Sequence, residues 1–225
     1  MKPRRGKARA RFTWRALLLL TITGVLLAVA AVLEGPVVVR QVWSVVGVRR
    51  VEAHAELIRD AARESGIDAC LLAAVMYAES RGRVDAVSHK EALGLFQLMP
   101  SSAGDAARRL GLPPPTREEL LSNAALNARL GAAHLAWLQR AEGPDVERML
   151  VAYNAGRTKL ARWMRGDASY AEWRAKNLGK SDALAYAHDV LLFREHFRAR
   201  GVIDPVPQPI VPEPVSSMGN SGEAR

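Results

Sequence analysis

A chain of 225 residues, about half of them apolar, is long enough for one well-buried domain with accessory segments and too short for two large ones. Its net charge of +9 is concentrated at one end: Lys2, Arg4, Arg5, Lys7, Arg9, Arg11 and Arg15 follow one another with no acid between them, and the remaining 25 basic residues face 23 acidic ones. A phosphate-binding domain carries its basic excess on the folded part, so no nucleic-acid partner is expected, and the lone Cys70, read as a small core residue, excludes an intrachain disulfide.

The basic stretch, 1–15, is followed by Ala16 to Leu33, about 18 residues without a charge, which suffices to cross a hydrocarbon core as a helix. Glu34 and Pro36 close it. The positive-inside rule then places 1–15 in the cytoplasm and everything beyond Leu33 across the membrane. A cleavable signal peptide is the rival reading, because Ala28-Val29-Ala30 has the small-x-small form of a cleavage site. The apolar run continues past that site and favours an uncleaved anchor. No cysteine follows it, which excludes a lipoprotein anchor, and 34–50 reads as a linker.

From 51 to 200 the pattern is helical, with apolar residues at helical spacing and no run of alternating β-branched residues. Helices are predicted near 50–65, 69–80, 101–110, 123–140, 145–154, 157–165 and 181–199. Asp68 can cap the second, Pro100 can open the third and Gly111 can stop it. Thr116-Arg117-Glu118-Glu119 has the spacing of a capping box, and Gly143-Pro144-Asp145 separates two long helices. The tail, 201–225, carries five prolines after Ile203 without periodicity and reads as an extended or disordered end, a spacer or a partner-binding segment. The fold class is all-α.

Three segments carry chemistry. The helix beginning after Asp68 ends at Glu79-Ser80, where a carboxyl lies near the negative end of the helix dipole and against an apolar wall. Both effects favour the protonated form, as a general acid requires. Alone, the segment fits equally a carboxylate that merely solvates a helix end. Gly94-Leu95-Phe96-Gln97-Leu98-Met99-Pro100 places one amide in an apolar run, so Gln97 must bond either to a ligand's amide or hydroxyl groups or to backbone. Ala152-Tyr153-Asn154-Ala155-Gly156 ends a buried helix in an aromatic, an amide and a glycine, which by itself is also a simple helix stop.

Taken together and in this order, the three segments resemble the lytic transglycosylases of the goose-type-lysozyme-like superfamily, whose domain is helical and lysozyme-like. The family's Glu-Ser matches Glu79-Ser80, its Gly-Leu-Met-Gln-x-Met-Pro matches Gly94 to Pro100, and its Ala-Tyr-Asn-Ala-Gly matches Ala152 to Gly156. The resemblance covers about residues 55–197. It implies that Glu79 is the catalytic acid, that Ser80, Ser88, Gln97 and Met99 line sugar subsites, that Tyr153 sits beside the acid, that Asn154 braces the site, and that Tyr186 is a later tyrosine of the cleft. It further implies a peptidoglycan glycan substrate, cleaved between N-acetylmuramic acid and N-acetylglucosamine to a 1,6-anhydro end, with no metal and no cofactor. The expected location is the cytoplasmic membrane, single-pass, with the catalytic domain on the periplasmic side. Four positions depart from the family: Asp182-Ala183 replaces Glu-Thr, Glu91 stands at a usual glycine, and Gly82 at a usual bulky residue, so an altered path is expected between Glu79 and Gly94. Asp85 and Glu91 keep open a hydrolytic muramidase, in which a second carboxylate activates water. A non-catalytic glycan-binding scaffold is the remaining alternative.

Overall fold

The computed structural model describes residues 45–203. The expected basic segment, membrane-crossing helix, most of the linker and the proline-rich tail beyond Ile203 lie outside the described residues. Among the described residues no helix is long and apolar enough to cross a membrane. The chain divides into two units, Met1–Arg49 and Arg50–Arg225. The second unit contains nine helices among its described residues: α1 Ala55–Ser65, α2 Ala69–Ser80, α3 Pro100–Arg109, α4 Arg117–Ser122, α5 Ala124–Glu142, α6 Val146–Ala155, α7 Arg157–Trp163, α8 Tyr170–Asn177 and α9 Asp182–Arg200.

Most boundaries are written in side chains. Asp68 accepts a hydrogen bond from the Leu71 N–H at 2.7 Å and opens α2, and Pro100 stands at the start of α3. Thr116 and Glu119 form a complete capping box at α4, while Asp145 caps α6 just after Gly143 has closed α5. Two predictions are corrected. The helix expected over 50–65 is interrupted by a turn at 53–54, so α1 begins at Ala55. The region between 165 and 181, where no helix is predicted, contains α8, capped by Ser169 through the Glu172 N–H. Eight residues give a period of 3.6 too few repeats to register.

Helix α2 is the axis of the core. Every residue from Ala69 to Tyr77 is buried, including Cys70, whose thiol donates to the Ile203 carbonyl oxygen at 3.1 Å. A helix that is apolar all round needs partners on all sides, and α2 packs against α1 and α9. Tyr77 meets Phe193 with ring centroids 4.1 Å apart and Phe197 at 6.2 Å, which fastens the two helices. The second long helix, α5, packs against α1, α3, α4 and α6, and α6 in turn packs against α9. The C-terminal end of α2 is thereby brought to the side of α6 and α9, which carry Tyr153 and Tyr186.

Candidate active site

Helix α2 stops abruptly after Ser80. Arg81 takes a left-handed conformation (φ 53°), and its N–H closes the last turn on the Tyr77 carbonyl oxygen at 3.0 Å. Glu79 is therefore held on the final turn of a buried helix, itself part-buried. Burial pushes its carboxyl up to about 7, and the hydrogen bond from Tyr186 offsets a part of that rise. The Tyr186 hydroxyl donates to Glu79 Oε1 at 2.7 Å. Tyr153, on α6, points its hydroxyl at the Phe96 carbonyl oxygen, 2.6 Å away. Both phenols are held well above their ordinary pKa, by burial first and by the Glu79 charge second, so they remain proton donors. Beyond Tyr153, His134 lies 5.6 Å away between ring centroids; burial, helped by Arg109, pushes its imidazole down to about 4, so it adds no positive charge near neutral pH.

The segment around Gly94 is a knot of backbone hydrogen bonds. Leu93 and Leu98 exchange two of them at 3.0 Å, and the Gly94 N–H reaches the Ala86 carbonyl oxygen at 2.8 Å. A buried amide that sequence reading overlooked clamps this knot to α5. Asn127, 0% exposed, accepts from the Phe96 N–H at 2.9 Å and donates to the carbonyl oxygens of Leu93 and Leu120, each at 3.0 Å. Its three bonds leave it satisfied, and its position is possible only because residue 94 lacks a side chain: a Cβ there would stand 2.1 Å from Asn127 Nδ2. The signal in the sequence was a lone amide in the otherwise apolar run from Ala124 to Ala128. Gly131 works the same way by packing, since a Cβ there would fall 2.4 Å from the Phe96 ring.

The remaining expected site residues are distributed unevenly. Gln97 donates from Nε2 to the carbonyl oxygens of Ala86 and Gly94, both at 3.0 Å, so its amide nitrogen braces the loop. Its backbone is left-handed at φ 44°. Ser88 accepts from the N–H groups of Lys90 and Ala92 at 3.2 and 3.0 Å, which shapes the loop while leaving its own proton uncommitted. Ser80 is 1% exposed and its hydroxyl donates back to the Met76 carbonyl oxygen at 3.1 Å, which turns it into the helix rather than toward the cleft. Met99 is exposed at the N-cap of α3, and Asn154 is exposed on the wall of a groove of about 640 Å³ that Lys90, Lys159 and Lys180 also line.

The two departures in the loop have physical accounts. Glu91 adopts φ 62°, a conformation that glycine enters freely, and its carboxylate is tied to Arg117. Gly82 lies against the backbone of Arg50 and Val51, where a Cβ would approach to 2.9 Å, so a bulky residue has no room.

A helical domain whose buried central helix ends in a part-buried carboxyl, raised to about 7 by burial and hydrogen-bonded by Tyr186, has the lysozyme-like class of fold. Residues 56–176, more than half of the chain, match the transglycosylase SLT domain, and the chain belongs to that family. Membrane-bound lytic murein transglycosylase C of Salmonella typhi is 34% identical over 127 residues, which are 53% of this chain and 35% of that protein. Its namesake in Histophilus somni (strain 2336) is 34% identical over 130 residues, 54% of this chain and 36% of that one. The chain thus spans about a third of the length of the curated relatives it matches. Among solved structures, an inactive mutant of the lytic transglycosylase Slt from Pseudomonas aeruginosa is similar with a TM-score of 0.59 and 26% identity, over 70% of this chain and 25% of that one. The 70 kDa soluble lytic transglycosylase of Escherichia coli gives a TM-score of 0.58 at 22% identity, over 64% and 24%, a likeness that bears on the fold.

Proposed function

We propose that this chain is a peptidoglycan lytic transglycosylase that uses Glu79 as its only acid and base. The observation that carries this reading is the state of Glu79: a carboxyl near 7, raised by burial and not by a neighbouring carboxylate, with Tyr186 as its hydrogen-bond donor. Glu79 gives its proton to the oxygen bridging N-acetylmuramic acid and N-acetylglucosamine as the bond from that oxygen to muramyl C1 breaks. The substrate's own acetamido group supports the cationic C1. The Glu79 carboxylate then takes the proton of the muramyl C6 hydroxyl while its oxygen bonds to C1, which closes a 1,6-anhydro ring and restores the acid. Water is not consumed. Most glycosidases need a second carboxylate to hold water or to attack; here Glu91, one of two candidates for that part, is committed to Arg117. Proximity favours the internal hydroxyl over a diffusing water by a large effective concentration. The names of the Salmonella and Histophilus relatives accord with membrane attachment, and the apolar run at 16–33 is the segment proposed to provide it as an uncleaved anchor.

Digestion of purified peptidoglycan in heavy-oxygen water, followed by mass analysis of the released disaccharide-peptides, tests the chemistry. Anhydro ends free of label are expected. A labelled reducing sugar as the main product means hydrolysis and rejects the mechanism. Recovery of mature protein that starts at Met1 and resists carbonate extraction is expected for the anchor, and a start at Ala31 would reject it.

A further inference from the structure

Behind Tyr153 stands an imidazole that the proposed chemistry does not use. His134, on α5, meets the Tyr153 ring at 5.6 Å between centroids and 55°, and stacks on Trp137, one turn further along α5, at 5.5 Å and 28°. Trp137 is itself faced by two guanidiniums, Arg109 from α3 at 4.3 Å and Arg157 from α7 at 5.2 Å. His134 thus fills the space between an anchored indole and the phenol beside the acid. Tyr153 in turn reaches the Phe96 carbonyl oxygen at 2.6 Å and feels the Glu79 charge. Three rings in a row therefore lead from Trp137 to the wall that buries Glu79.

The middle ring has to be neutral to stay there. Nδ1 of His134 is buried and has no hydrogen-bond partner among the described residues. A neutral imidazole protonated at Nε2 leaves only a lone pair at that point, whereas an imidazolium carries a hydrogen on both nitrogens. A cationic N–H shut away without an acceptor costs more than one aromatic stack returns. The groups that face the ring agree. From α3, Arg109 opposes a second positive charge, and Asp105, itself tied to Arg108, favours one less strongly. From α6 comes the Tyr153 phenol, and from α7 Arg157, across Trp137. Helices α1 and α4 also pack against α5, and among the described residues they bring no charge to bear on it. A proton forced onto Nδ1 must therefore swing the ring out to water, and Tyr153 then loses its backing.

We propose that His134 is a positioning residue whose neutral ring seats Tyr153 against Glu79 and whose protonation unseats it; the inference rests on Glu79 as the acid. It supplies what a single-acid mechanism lacks. Glu79 must be protonated to act, so its own titration closes the pH profile only on the alkaline side, near 7. A group that must stay neutral closes the profile on the acid side. Burial first, and Arg109 second, hold that group down to about 4. Activity is thereby confined to a window between the two.

The test is the pH profile of kcat/KM for the full chain on purified peptidoglycan, set beside an NMR titration of the His134 imidazole. In the wild type, the acid limb and the imidazole are expected to share one midpoint near 4. The absence of an acid limb, a limb apart from that midpoint, or one that coincides with unfolding by circular dichroism overturns the proposal, and none of these needs a variant to fold. His134→Ala removes the plate behind Tyr153. Between the two limbs kcat is expected to fall about tenfold with KM unchanged, and the alkaline limb to move to lower pH as water reaches Glu79. His134→Phe puts back a ring that cannot take a proton, so it is expected to restore kcat and the alkaline limb and to abolish the acid limb. An acid limb that survives His134→Phe, or an alkaline limb that stays in place in His134→Ala, overturns the proposal as well. Label-free anhydro ends from a protein whose acid limb His134→Phe leaves unmoved would reject the seating and leave the chemistry standing. A moved limb together with labelled reducing ends would do the reverse.

Discussion

Two carboxylates of this domain each receive a tyrosine hydroxyl, and they end in opposite states. Glu79 accepts from Tyr186 at 2.7 Å and Glu147 from Tyr170 at 3.0 Å. Glu147 also meets Arg174 in a two-pronged pair at 2.5 and 2.9 Å, and that guanidinium holds its carboxyl below the usual range. Glu79 has no such cation among the described residues, and burial carries it up to about 7. The phenol is common to both; the guanidinium decides. A fixed positive charge beside Glu79 would stabilise its carboxylate and remove the proton that the proposed chemistry uses.

The strongest way to break this contrast is Glu79→Gln, which keeps the shape and removes the acidic proton. Turnover of purified peptidoglycan is expected to fall by about 10²–10⁴-fold with the circular dichroism spectrum unchanged; activity within tenfold of wild type would reject the assignment. The same variant sharpens the contrast through stability. The folded protein holds the Glu79 proton more tightly than the unfolded chain, so stability from this group is full below about 4.5 and lost as pH rises through about 7. A rise from 4.5 to about 7 corresponds to about 3 kcal/mol, reduced by whatever solvent reaches the carboxyl. Urea melts should therefore show Glu79→Gln gaining on wild type between pH 4.5 and 7 by up to that amount, and a flat difference would show that the carboxyl titrates normally.

Tyr186→Phe removes the one bond that lowers the Glu79 pKa. The alkaline limb of the kcat/KM profile should move to higher pH, and kcat should fall about tenfold, the scale of one lost hydrogen bond to a charged group. A limb that stays in place would mean that the phenol does not act on Glu79. The smallest effect belongs to the other carboxylate. Arg174→Gln should cost about 1 kcal/mol at pH 7, since the pair is partly exposed. That cost should fade as pH falls below about 4.5, where the unfolded carboxylate begins to bind protons. A larger loss that persists at pH 3 would point to packing instead of charge.

The place of Glu79 at the end of α2 was legible in the sequence because its requirements are local: an apolar helix of a dozen residues, a polar cap before it, and a carboxyl at its last turn. Caps at Asp68, Thr116 and Asp145 were legible for the same reason. What stayed hidden depends on distant partners. Asn127 makes bonds 31 and 34 residues away; its own neighbourhood marks it as a lone amide but does not say where those partners lie. Ser80 lies beside the acid in sequence but faces a different way, into the core, since consecutive residues on a helix point about 100° apart. The lysine groove draws on four separate stretches of chain, between Lys90 and Ala183, that meet only after folding. The path of the loop at Glu91 was uncertain because a left-handed conformation at a non-glycine residue is rare.

Glu79 and the phenol that faces it are 107 residues apart, and Tyr186 belongs to α9, the last helix of the described chain. Contacts of such long range form late, because the loop they close is costly in entropy. A partly folded chain, still on the ribosome or threading through a translocation channel, already has the carboxyl but lacks its wall. In that state water bathes Glu79, its pKa returns to that of an ordinary carboxylate, and it is ionised at neutral pH. A protein whose proposed work is to cut the wall of its own cell is thus chemically silent through its synthesis, and is armed only when its last helix docks.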